Sequence, residues 1–73
     1  MNKQTFIENM TARGYKPETV GNGNINATKG DITVRLVPLA DHVVYIATPT
    51  VTAIIRKGVT DTETLRVIDG LTA

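Results

Sequence analysis

The chain has no cysteine, no tryptophan and no serine, and it has a single histidine, His42. Without cysteine, neither a disulfide nor a thiolate metal site can staple a domain of 73 residues, so packing has to hold it, with self-association as an option. Without serine or cysteine, the usual hydrolase nucleophiles are missing, and no base stands at a telling spacing from any threonine. One histidine beside Asp41, with carboxylates scattered over Glu8, Glu18, Asp31, Asp61, Glu63 and Asp69, matches neither a transition-metal nor a calcium-loop spacing. These gaps give the expectation of a non-enzyme with no cofactor and no metal. No apolar run approaches the roughly 20 residues that span a bilayer, and the N-terminus has no signal-peptide core. The expected location is therefore cytoplasmic, away from membranes. Aromatics are scarce as well, limited to Phe6, Tyr15 and Tyr45.

What is present is β-branched. Twelve threonines join a core vocabulary of Val, Ile and Leu, and threonine suits the solvated side of a sheet. Three runs stand out: Ile32–Val37, Val43–Ala47 and Thr50–Arg56. In the first, Ile32, Val34 and Leu36 share one face, while Thr33, Arg35 and Val37 share the other. Pro38 ends it by removing a ladder donor. Leu39-Ala40-Asp41 turns the chain, His42–Thr48 returns antiparallel, and Thr48-Pro49 turns it again into Thr50–Arg56. Asn24–Thr28 alternates weakly, which makes a short extra edge strand an option ahead of a Lys29-Gly30-Asp31 turn.

The flanks carry helix signals. Met1–Arg13 reads as a helix with Asn2 as N-cap, Phe6, Ile7 and Met10 as its apolar stripe, and Gly14 at the left-handed C′ position. Tyr15–Asn24 reads as a connector, with Pro17 extending it and Gly21-Asn22-Gly23-Asn24 turning it. Thr60-Asp61-Thr62-Glu63 fits a capping box, after which Leu65, Ile68 and Leu71 face the core and Gly70 stops the helix. A fourth strand over Thr64–Ile68 is the competing reading. The expected fold is thus one α+β domain over residues 1–73. It has two layers: an N-terminal helix, a three-stranded antiparallel meander and a short C-terminal helix.

The order helix–three strands–helix resembles that of double-stranded-RNA-binding domains. That family grips phosphates with lysines at the start of its second helix, where this chain has the acidic Thr60-Asp61-Thr62-Glu63. Net charge is only +1, and nucleic-acid contact is expected to be weak at most. In its length, its Met1–Arg13 helix ahead of the Ile32–Arg56 sheet and its mild charge, the chain also resembles the small RNA-polymerase-binding transcription regulators of bacteriophages, that of a Xanthomonas phage in layout. The resemblance implies a phage protein acting in the host cytoplasm. Its partner would be the β′ subunit of host RNA polymerase, with inhibition of initiation through interference with sigma-factor engagement, and antitermination.

Two short helices cannot blanket both faces of a sheet, so one face is expected to be bare. Its Arg35, Val37, Tyr45, Ile54 and Arg56, with Lys57 following, form the expected protein-binding surface. Arg13, Tyr15 and Lys16, just past the first helix, form a second candidate patch, because arginine and tyrosine are enriched in interface hot spots. Weak nucleic-acid binding and self-association through the open sheet are the alternatives.

Overall fold

The structure, a computed structural model, describes residues 1–40 and 43–73. Asp41 and His42, expected at the end of a turn and the start of a strand, lie outside the described residues. Helix α1 spans Lys3–Ala12 and is capped by Asn2, whose Oδ1 accepts the Thr5 N–H at 2.8 Å. Its C-terminus closes as a Schellman motif. Gly14, at φ +86°, donates its N–H to the Thr11 carbonyl at 3.0 Å, and the Tyr15 N–H reaches the Met10 carbonyl at 2.9 Å. That turn folds Tyr15 back beside Met10. Lys29 then donates from Nζ to the Arg13 carbonyl at 3.0 Å and lies 5.5 Å from the centre of the Tyr15 ring.

Five strands follow, not three with an optional fourth: β1 (Lys16–Thr19), β2 (Ile25–Lys29), β3 (Ile32–Val37), β4 (Val43–Ala47) and β5 (Thr52–Ile55). They pair in sequence order as one antiparallel meander. Lys16–Thr19, expected within a connector, is the edge strand, and Ile25–Lys29, expected at most as an edge, is an inner strand between it and β3. Proline at position 17 is compatible with the edge because the missing N–H there points away from the sheet. Gly30, at φ +57°, opens the two-residue hairpin between β2 and β3, a position that disfavours any side chain.

Helix α2 (Asp61–Thr72) occupies the C-terminal segment for which a strand was the competing expectation. Thr60 Oγ1 accepts the Glu63 N–H at 3.1 Å, which is the forward half of the expected capping box. The return half is not made, since Glu63 Oε2 instead accepts from Arg66 Nη1 at 2.9 Å. Nor does Gly70 end the helix. The last turn runs through it to Thr72, whose hydroxyl donates to the Ile68 carbonyl at 2.7 Å, while Leu71 packs against the core. Glycine costs about 1 kcal/mol in a helix interior and less in a last turn, which the partial burial of Leu71 can offset.

The core lies between one face of the sheet and both helices. Phe6 and Met10 of α1, Tyr15, and Ile68 of α2 meet Ile25, Ala27, Val34, Leu36, Val44, Ile46 and Ile55. Every one of these strand residues falls on the same phase of the pleat. The architecture is two-layered, and among the described residues no fully buried side chain belongs to the opposite face of the sheet.

Candidate functional site

The uncovered face is ordered by register. Glu18 pairs with Asn26, Asn26 with Arg35, Arg35 with Tyr45 and Tyr45 with Ile54. One straight row therefore crosses all five strands, graded from carboxylate through amide and guanidinium to aromatic and aliphatic. Side chains directly opposite across antiparallel strands stand about 4.5–5.5 Å apart at Cβ, so neighbours in this row touch or nearly do. Arg35 is anchored within it: Nε donates to Asn26 Oδ1 at 2.7 Å. The two terminal nitrogens of Arg35 find no partner among the described residues, and the anchor limits the arc they can sweep. Tyr45 is 39% exposed and Ile54 49%, large values for residues of their size within strands.

A parallel row of Lys16, Thr28, Thr33, Ala47 and Thr52 lies one step along the strands. Between the two rows Thr33, Arg35, Tyr45, Ala47 and Thr52 border a shallow depression of about 210 Å³. Pockets for small organic ligands usually run to about 300–1,000 Å³ and are concave. A broad, shallow surface with one fixed guanidinium and adjacent apolar side chains suits a macromolecular contact better.

Of the residues singled out from sequence, the structure brings Arg35, Tyr45 and Ile54 side by side. Val37 is on the same face, half-buried and opposite Val43. Lys16 is exposed at the far end of the threonine row, on edge strand β1. Arg56 and Lys57 are exposed just beyond β5. The second candidate patch is not assembled. Tyr15 is only 5% exposed and belongs to the core. Arg13 turns to α2, where Nε meets Asp69 Oδ1 at 2.7 Å and Nη2 meets Oδ2 at 3.1 Å. This bond to the carboxylate raises the Arg13 pKa against the lowering effect of partial burial, and it lowers that of Asp69 below the ordinary aspartate value. The pair is a strap between the helices.

Glu18 and Asn26 are members of the row that sequence reasoning misses. The alternation in Lys16-Pro17-Glu18-Thr19 is a usable signal, masked by the proline. Among the described residues no group of His, Cys, Asp and Glu gathers as a metal site would require, and no helix is long and apolar enough to cross a membrane. No protein family, no curated protein and no solved structure matches the chain, so its functional reading stands on the geometry of this face.

Proposed function

We propose that this domain is a small regulatory protein that acts by binding another protein through the row Arg35–Tyr45–Ile54, without catalysing a reaction. The observation that carries the reading is the uncovered face itself, on which an anchored arginine, an exposed tyrosine and an exposed isoleucine stand in adjacent register. Arginine and tyrosine are the residue types that most often dominate interface energies, and apolar neighbours exclude water around them. A complementary partner segment presents a carboxylate to Arg35 and an apolar side chain to Tyr45 and Ile54. The partner we propose, following the layout shared with phage regulators, is the β′ subunit of host RNA polymerase. Occupying a segment of such an enzyme inhibits initiation by disfavouring the conformation that engages sigma factor, and promotes antitermination by favouring the elongating one. Differential affinity for two states of the target is all that this requires.

The test is direct binding of the purified domain to bacterial RNA polymerase core enzyme, with Arg35→Ala and Tyr45→Ala as variants. Hot-spot truncations cost about 2 kcal/mol or more, so each variant is expected to bind at least about 30-fold more weakly while melting like the parent. Failure to bind polymerase removes the proposed target. Unchanged binding by both variants removes the surface. Salt distinguishes the nucleic-acid alternative, in which Arg13, Lys16, Arg35, Arg56 and Lys57 contact phosphates, Arg13 only at the expense of its bond to Asp69. Phosphate contacts weaken steeply between about 50 and 200 mM salt, whereas a largely apolar protein contact does not.

A further inference from the structure

The sheet is open, and its two edges differ. Just past the end of β1, the Val20 N–H donates to the Asn24 carbonyl at 2.8 Å. By the alternation of an antiparallel ladder, the hydrogen-bonded pairs are then Glu18–Asn26 and Lys16–Thr28, so Pro17 and Thr19 turn their backbone groups outward. Pro17 has no N–H to offer. This edge lacks its central donor and has charged Lys16 and Glu18 beside the gap, the features that blunt a strand against pairing.

The other edge has no such protection. The Thr48 N–H donates to the Val51 carbonyl at 2.8 Å, so the same alternation makes Ile46–Ala53 and Val44–Ile55 the hydrogen-bonded pairs. Thr52 and Ile54 therefore turn both N–H and C=O away from β4. No charged residue occurs from Thr48 to Ile55, and Tyr45, Val51 and Ile54, three of the chain's exposed large apolar residues, cluster on and beside this strand. Head-to-tail stacking of copies needs a β1 edge with its donors intact, and Pro17 denies it. A symmetric β5–β5 pairing remains.

We propose that two copies of this chain pair β5 with β5, antiparallel about a two-fold axis through Ile54, into one ten-stranded sheet. Residues facing each other across the new ladder have to share a face of the sheet, which restricts the axis to a residue position. Centred on Ile54, the pairing sets Ile54 against itself, Thr52 against Arg56 of the second copy, and Ala53 against Ile55 on the core side. The outward backbone groups of Thr52, Ile54 and Arg56 are then all matched. Centred on Ala53, the outward groups of Arg56 fall beyond the partner strand. No like charges stand opposite in the Ile54 register, and a net charge of +1 per copy opposes association little. The exposed row becomes continuous through the axis, with Tyr45–Ile54–Ile54–Tyr45 as its centre. This dimer is independent of any third-party binding, and its absence leaves the role proposed for Arg35 and Tyr45 standing.

Sedimentation of the isolated chain over a concentration series tests it, with Thr52→Pro and Thr52→Val as variants. Thr52→Pro deletes one outward N–H and leaves the β4–β5 ladder whole, as Pro17 does on β1. Thr52→Val keeps that N–H. The parent and Thr52→Val are expected to approach twice the 7.9 kDa chain mass, and Thr52→Pro to associate at least about tenfold more weakly with an unchanged circular dichroism spectrum. A parent that stays monomeric to about 1 mM overturns the proposal, including the case in which a strand of a different protein is the natural occupant of the edge. So does a Thr52→Pro chain that dimerises like the parent. Should Thr52→Pro not fold, amide exchange in the parent decides: exchange at Ile54 N–H that slows as concentration rises supports β5 as the interface, and exchange indifferent to concentration rejects it.

Discussion

Replacing Tyr15 separates a structural tyrosine from a binding one. The residue is 5% exposed and belongs to the same core cluster as Phe6, Met10 and Ile25, held there by the Schellman turn that its own N–H completes. Truncating a buried aromatic to alanine costs about 3–5 kcal/mol. A 73-residue domain has about 4–11 kcal/mol of total stability at typical per-residue values. Tyr15→Ala is thus expected to remove between about a quarter and all of it. With a urea dependence of about 1 kcal/mol/M, the unfolding midpoint falls by about 3 M or more, and at the lower bound of stability the variant is unfolded in buffer. Tyr15→Phe keeps the ring and should stay within about 1 kcal/mol of the parent. Urea titration followed by circular dichroism measures both. If Tyr15→Ala unfolds like the parent yet loses capture of a partner, the tyrosine is a surface anchor and its place in the core is wrong.

The Arg13–Asp69 strap has a pH signature. Because the Asp69 pKa is lowered on folding, its contribution is complete above the unfolded-state aspartate value of about 3.9 and fades as pH falls through the lower folded value. Asp69 is exposed and Arg13 only half-buried, so solvent screens the pair, the loss amounts to about 0.2–1 kcal/mol, and Asp69→Asn should abolish that part of the acid dependence in melts taken from about pH 5 to 2. Thr60 supplies the side-chain cap of α2, so Thr60→Ala is expected to destabilise by about 0.5–2 kcal/mol and Thr60→Ser by much less. Equal melting of the two variants contradicts the cap.

Much of the fold is legible in the sequence because local chemistry and tertiary packing agree. Asn2 and Thr60 cap the helices they are expected to cap, and the alternation of Ile32–Val37 places Val34 and Leu36 in the core. The differences arise where a local signal has two readings. Pro17 speaks against a strand interior but not against an edge, so the segment of β1 resembles a connector and β2 resembles the periphery. Gly14 stands at C′ as its spacing predicts, but the same motif folds the next residue back on the last helical turn, which takes Tyr15 off the surface. Gly70 carries a stop signal that tertiary contacts of Leu71 override. On the uncovered face, Arg35, Tyr45 and Ile54 follow from alternation within single strands. Their alignment in one row depends on register between strands, which is set by the connecting turns and cannot be read from any one segment.

The uncovered face has a simple geometric cause. Strands lie about 4.8 Å apart, so five of them make a sheet about 20 Å wide between its outer strands. Two helices side by side, each about 10 Å across, cover about that width once. Both are committed to the face that carries Val34, Leu36, Val44 and Ile46, and the described residues form no third α-helix to lay over the other. That other face stays compatible with water by interleaving: the row of Thr28, Thr33 and Thr52 is polar, and charged Glu18 and Arg35 punctuate the next. The interleaving lapses at two places: half-buried Val37 stands opposite Val43, and exposed Tyr45 and Ile54 are adjacent with the unprotected edge of β5 alongside. A protein partner of the kind proposed would gain most by drying the second of these, because there exposed apolar area lies one strand spacing from the anchored Arg35. The same adjacency explains why substitutions at Tyr45 and Ile54 should affect binding far more than those at Thr28 or Thr33, whose removal uncovers no apolar surface and strands no charge.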